Sequence, residues 1–174
     1  CANEGVVGAG NNALLSQCEV TACGGTIAAV SLTGVAFIHD CWIHDNTKSG
    51  INVTGGSDAV VGCLITNNTG ASSDGIVGLF WGTFRGNTIY GNGRDGIRIG
   101  NTSASRECFC SNNILAANGG YGINVTSAMP YPALSHFHHN GFWSNTSGSY
   151  NNIIAGVGDV TVTDGDPFTN AAGN

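Results

Sequence analysis

Between Leu15 and Asn145 the chain repeats one pattern of apolar and polar positions six times. An apolar residue is followed three positions on by Cys or Asn, two beyond that by another apolar residue, and three further by Asn or Cys. Anchored on its second member, the pattern falls at Cys18, Cys41, Cys63, Asn87, Asn113 and Asn140, so successive units are 23, 22, 24, 26 and 27 residues long. Leu15, Ile38, Val60, Phe84, Cys110 and Phe137 stand three residues before the anchor, and Val20, Ile43, Ile65, Ile89, Leu115 and Phe142 two after it. Five after it come Cys23, Asn46, Asn68, Asn92, Asn118 and Asn145. A period in the twenties built on short apolar segments predicts a solenoid, in which each unit buries its apolar face only against its neighbours.

A second landmark precedes each motif: Gly50-Ile51-Asn52-Val53, Gly75-Ile76-Val77-Gly78, Gly96-Ile97-Arg98-Ile99 and Gly122-Ile123-Asn124-Val125. Apolar residues alternate there, as they do on both sides of the anchor, so each unit holds three short strands. Asp40, Gly62, Gly86, Asn112 and His139 directly precede anchors and mark a tight corner, where Asn and Gly accept a left-handed backbone. The pattern therefore predicts an all-β fold: a single-stranded right-handed parallel β-helix of about six to seven coils, one domain over residues 1–174. A propeller blade needs about 40 residues and leucine-rich repeats need regular Leu, so both fit worse. Stacked at the strand spacing, Asn46, Asn68, Asn92, Asn118 and Asn145 should form a structural amide ladder. The growth of the core columns from Val and Ile to Phe137 and Phe142 suggests a widening cross-section.

Only 9% of residues are charged, while 28 Gly and 3 Pro indicate regular turns rather than disorder. A net charge of −6 with five Lys and Arg argues against nucleic acid as a partner. No run reaches the roughly 18 to 20 apolar residues of a membrane span. The chain opens at Cys1 rather than Met, and Gly165-Asp166-Pro167-Phe168 is followed by Thr169 to Asn174 without a capping unit. It is therefore expected to be a piece of a longer chain whose ends pair with flanking segments or another copy.

The seven Cys include no C-x2-C pair, and the single spacer of Cys108-Phe109-Cys110 suits zinc poorly, so no metal is expected. Cys18, Cys41 and Cys63 share a column with strands about 4.8 Å apart, which a disulfide tolerates; small apolar filling of a turn is equally open. His39 shares the column of His138 but lies four coils away, about 19 Å, so it cannot join His136, His138 and His139 in a metal site.

The Gly-Ile-x-Val strands, the x-x-Ile-x-x-Asn units and Asp166-Pro167-Phe168 resemble the right-handed parallel β-helix superfamily of pectate-lyase-like proteins, over roughly Val6 to Phe168. The resemblance implies architecture rather than one activity, because that superfamily includes polysaccharide lyases, glycoside hydrolases, epimerases, phage tailspikes, adhesins and non-catalytic surface proteins. A lyase of this kind would need a basic Arg or Lys and carboxylate-held calcium. Asp74, Asp95, Arg94 and Arg98 are the best grouping, since both Asp residues precede a Gly-Ile strand and should stack on neighbouring coils. They could bind calcium or a sugar, or form a solvated edge with an ion pair. The polygalacturonase motifs Asn-Thr-Asp, Asp-Asp, Gly-His-Gly and Arg-Ile-Lys are absent; Arg98-Ile99-Gly100 matches only the start of the last.

The outward column three after the anchor reads His44, Thr66, Tyr90, Ala116 and Trp143, and Tyr90, Trp143 and His44 are candidate glycan-binding residues. Glycosylation sequons fall at Asn52, Asn67, Asn101, Asn124 and Asn145. An ice-binding face would need a recurring Thr array, and only Thr161-Val162-Thr163 resembles one. The expected role is that of an extracellular, cell-surface or virion β-helix module, structural or glycan-binding, with polysaccharide lyase or glycoside hydrolase activity as the alternative.

Overall fold

The computed structural model describes residues 5–10, 12–79, 81–100, 107–126 and 136–163. Cys1, Asn101 and the Asp166-Pro167-Phe168 segment lie outside them. Among the described residues, twenty short strands wind into successive coils. The first three coils are β1 (Val6–Ala9), β2 (Ala13–Ser16) and β3 (Glu19–Thr21); β4 (Ala28–Thr33), β5 (Ala36–His39) and β6 (Trp42–His44); and β7 (Ser49–Val53), β8 (Ala59–Val61) and β9 (Leu64–Thr66). The next three are β10 (Ile76–Leu79), β11 (Thr83–Arg85) and β12 (Thr88–Tyr90); β13 (Ile97–Gly100), β14 (Phe109–Ser111) and β15 (Ile114–Ala116); and β16 (Tyr121–Val125), β17 (His136–His138) and β18 (Gly141–Trp143). β19 (Gly148–Asn151) and β20 (Val160–Val162) begin a seventh.

Every strand pairs in parallel with its equivalent one coil away, giving a parallel β-solenoid with three faces. Sheet A stacks seven strands in the order β1-β4-β7-β10-β13-β16-β19, sheet B six as β17-β14-β11-β8-β5-β2, and sheet C seven as β20-β18-β15-β12-β9-β6-β3. The six strands of sheet B are thus separated by five coil-to-coil steps. Registers match the sequence columns without a slip. Leu15, Ile38, Val60, Phe84, Cys110 and Phe137 align in sheet B, and Val20, Ile43, Ile65, Ile89, Leu115 and Phe142 in sheet C. With Val30, Ile51, Ile76, Ile97 and Ile123 from sheet A they fill the interior.

Missing side chains make room for the large rings. The Phe84 ring lies where side chains of Gly78 and Gly82 would stand, and Phe142 packs against Gly122, so a Cβ at any of the three would collide with a ring. Bulk on one face of a coil is matched by glycine within the same coil, which preserves close packing.

Sheets B and C are joined by two residues in every complete coil: Gln17-Cys18, Asp40-Cys41, Gly62-Cys63, Gly86-Asn87, Asn112-Asn113 and His139-Asn140. The first of each pair is left-handed, with φ between 52° and 65°. The same turn recurs just before the second ladder column, at Ala22, Asp45, Asn67, Gly91, Ala117 and Ser144. At each of these corners a left-handed residue swings the next side chain inward. That side chain is the ladder residue.

Nδ2 of Asn46 donates to Oδ1 of Asn68 at 2.8 Å, Asn68 to Asn92 at 2.9 Å, Asn92 to Asn118 at 3.0 Å and Asn118 to Asn145 at 2.9 Å. Each of these side-chain amides also donates to a carbonyl of the preceding coil, and backbone amides of Asn68, Asn92 and Asn118 donate to the next Oδ1. The anchor column forms a second ladder, Asn87 to Asn113 to Asn140, which ends on Asp159: the backbone N–H of Asn140 donates to Oδ1 at 2.7 Å. An acceptor-only carboxylate suits the end of a ladder that runs out of acceptors.

Asn92→Ala removes four hydrogen bonds at buried sites, to Asn68 twice, to Ile65 and to Asn118. A loss of about 3–5 kcal/mol in urea unfolding is expected, at about 1 kcal/mol per bond. Ala117 sits at φ 52° with a Cβ that this conformation disfavours. Ala117→Gly is expected to raise stability by about 0.5–1 kcal/mol, strain relief outweighing the extra freedom of the unfolded chain; a lower melting temperature would contradict that account.

Candidate functional site

The register of β10 on β13 places Asp74 and Asp95 at equivalent positions on neighbouring coils, as their Gly-Ile context implies. Both are buried, so they do not form a solvated edge. Asp74 accepts four hydrogen bonds. Arg94 Nε at 2.8 Å and the Asp95 backbone N–H at 3.1 Å reach Oδ1; Arg94 Nη2 at 2.6 Å and Arg98 Nε at 2.8 Å reach Oδ2. A carboxylate offers about four acceptor sites, so this one is saturated without a cation. The side-chain hydrogen bond to Asp74 holds the Arg94 guanidinium still more firmly protonated. Asp95 accepts from the Tyr121 backbone N–H at 2.8 Å and from Asn124 Nδ2 at 2.7 Å, and Asn124 in turn accepts from Asn151 Nδ2 at 3.0 Å. The four sequence-predicted residues do come together. What they build is a closed polar network tying four coils through one edge of sheet A.

The outward column that holds His44, Tyr90 and Trp143 also forms. Thr21, His44, Thr66, Tyr90, Ala116, Trp143 and Val162 run in register up the outer face of sheet C. Its members differ in access. Ala116 is fully buried between Tyr90 and Trp143, which are half-buried, so the column presents its two rings there and not the methyl group. A shallow depression of about 270 Å³ adjoins it, lined by Leu64, Thr66, Thr88 and Tyr90. That lies just under the roughly 300 Å³ lower bound of small-molecule sites.

His44 is only 8% exposed. Trp42, 45% exposed, stacks on it with ring centroids 3.9 Å apart, while Nδ1 contacts Asp45 at 2.7 Å and Nε2 contacts Glu19 at 3.0 Å. The ring available at this coil is therefore Trp42. It belongs to the neighbouring outward column with Leu64, Thr88 and Ile114, of which Leu64 and Ile114 are also exposed. Alternation around buried Ile43 points Trp42 outward, and that was the signal in the sequence that could have found it.

The other predicted positions sort by burial. Asn52 is buried, Asn124 is committed to Asp95, and Asn145 ends the ladder, which leaves Asn67 as the exposed sequon asparagine among the described residues. Cys18, Cys41 and Cys63 carry free thiols. Cys41 Sγ lies 3.7 Å from the Leu15 carbonyl and Cys63 Sγ 3.9 Å from that of Ile38, the places that the side-chain amides of Asn87 and Asn113 fill higher in the column by bonding Val60 and Phe84. Burial pushes the Cys63 thiol up to about 12, which keeps it a protonated donor. Among the described residues no three His, Cys, Asp or Glu side chains gather closely enough to hold a metal, and no helix is long and apolar enough to cross a membrane.

No protein family, curated protein or solved structure matches this chain. The outer faces therefore carry the functional argument on their own.

Burial disfavours the charged form of His44, but hydrogen bonds to Asp45 and Glu19 outweigh it and lift its pKa above the ordinary 6.5. The imidazolium therefore stabilises the fold fully below pH 6.5, and that contribution fades as pH rises through the elevated value. The stability difference between the native chain and His44→Gln should be largest near pH 5.5 and shrink by pH 9, measured by urea unfolding at both pH values. A pH-independent difference would rule out the charged pairing.

Proposed function

We propose that the chain is an extracellular, cell-surface or virion β-helix module that holds polysaccharide against the outer face of sheet C, without cleaving it. The observation that carries this is the pair of partly exposed aromatic residues, Tyr90 and Trp143, in one outward column. Two coil steps separate the aromatic side chains by about 10 Å. Each ring is partly exposed, and the C–H face of a sugar packs favourably against such a surface. Trp42, Leu64 and Ile114 extend the exposed apolar surface on neighbouring coils. The sheet is a rigid stack, so these groups are set in place before a ligand arrives, which lowers the ordering cost of binding. Likeness of the sequence to pectate-lyase-like β-helices, among which glycan-contacting surface proteins are common, favours the same class of ligand.

Saturation of Asp74 weighs against the cleavage alternative, since a base or calcium ligand there would first have to break contacts with Arg94 and Arg98. Affinity gel electrophoresis against neutral and acidic polysaccharides, together with assays for new reducing ends and unsaturated products, separates the two. Retardation by at least one polymer is expected, weakened about tenfold in Trp143→Ala and Tyr90→Ala and less in Trp42→Ala, since an aromatic contact is worth about 1 kcal/mol or more. Unchanged retardation in all three variants would overturn the proposal. So would turnover that Arg98→Ala abolishes without unfolding the chain.

A further inference from the structure

We propose that a second site, on the outer face of sheet B, binds an oxyanion, either free or as the sulfate or carboxylate substituent of a glycan. It uses none of the side chains invoked on sheet C, so the two sites stand or fall separately. Arg85, Ser111 and His138 occupy one outward column on successive coils. Arg85 and His138 are therefore about 10 Å apart, with the small Ser111 forming a floor between them. In the parallel column Phe109 stacks on His136 with centroids 4.6 Å apart and an interplanar angle of 10°, forming one wall. His138 Nδ1 is held by His139 Nδ1 at 2.9 Å. The depression has a volume of about 410 Å³ and is lined by Thr83, Arg85, Phe109, Ser111, Asn112 and His138. This falls within the roughly 300–1,000 Å³ of small-molecule sites.

The chemistry of that lining is one-sided. It offers guanidinium, hydroxyl, amide and imidazole donors and contains no carboxylate. Arg85 forms no ion pair among the described residues, whereas Arg94 and Arg98 are both locked onto Asp74. In a chain of net charge −6 the hollow is therefore a local cationic spot on an acidic protein. A planar guanidinium beside hydroxyl and amide donors matches the oxygens of a carboxylate or sulfate. A solvated arginine over an incidental dip would instead show no selectivity between charged and neutral polymers.

Calorimetric titration with dextran sulfate, neutral dextran and sodium sulfate decides the matter. Dextran sulfate is expected to bind with an affinity that falls as salt rises, and neutral dextran at least tenfold more weakly. Arg85→Gln should weaken dextran sulfate binding about tenfold or more, Arg85→Lys less, and Ser111→Leu, which fills the floor, should abolish it. Lys48→Gln, at an exposed cation outside the depression, should leave it unchanged. Arg85 is exposed, so melting temperatures of its variants should match the native chain and exclude unfolding as the cause. Competition by sodium sulfate identifies a site for free ions, and its failure to compete identifies one for a sugar-borne substituent. Equal binding by Arg85→Gln and the native chain, an equal loss in Lys48→Gln, or equal affinity for neutral dextran would each overturn the proposal.

Discussion

The buried side-chain amide at the corner is the constraint on which the rest of the structure depends. A chain that coils on itself must turn inside its own hydrophobic stack, and turning strands backbone N–H and C=O groups where water cannot reach them. Asn meets both needs at once, because its oxygen takes donors from the preceding coil while its nitrogen serves a carbonyl there and the next amide. Once those bonds are made, one coil fixes the height and phase of the next. The two-residue link between sheets B and C is constant for that reason. Connections from sheet C to A and from A to B vary, and they absorb the change in repeat length from 22 to 27 residues.

That constraint explains why the architecture could be read from the sequence. A ladder demands the same residue type at the same point in every coil, so it leaves a periodic trace, and the apolar columns follow with it. The left-handed corners were legible where Gly, Asn or Asp occupies them, as at Asp40, Gly62 and Asn112. Ala22, Ala117 and Ser144 adopt the same backbone with no such signature, because the ladder beside them imposes it. Phe84 was legible as a core residue but its accommodation was not. Only three dimensions bring Gly78 and Gly82 against its ring.

The sites were legible only in part, and for one physical reason. Sequence columns predict which residues stack along the coil axis but not how side chains lean across neighbouring columns. Asp74 and Asp95 were placed correctly. Their saturation was not visible, since it depends on Arg94 and Arg98 reaching the Asp on the preceding coil. His44 sat in the expected column yet lost its access to Trp42, two positions away on the same strand. The histidines near His138, weighed only as metal ligands, gain a different meaning from Arg85 two coils below, a residue no linear motif joins to them.

Closure of the coil also decides where function can reside. Interior and corner positions are fixed by packing and by hydrogen bonds, so they can hold only what the solenoid requires. Outward positions are free to vary, and relief on the surface comes from setting a small residue between larger ones in a column. The fifth coil does this on sheet B with Ser111, whereas Ala116 on sheet C is closed off from solvent between two partly exposed rings. Only Asn112-Asn113 and β15 up to Leu115 separate them in sequence, so a single corner carries a polar, cationic hollow on one side and an aromatic surface on the other. A polymer that bears both apolar ring faces and negative substituents could engage both sides by crossing that corner. A rigid solenoid makes such a ligand bend to the protein, because the amide ladder beneath Asn113 prevents the corner from moving toward it.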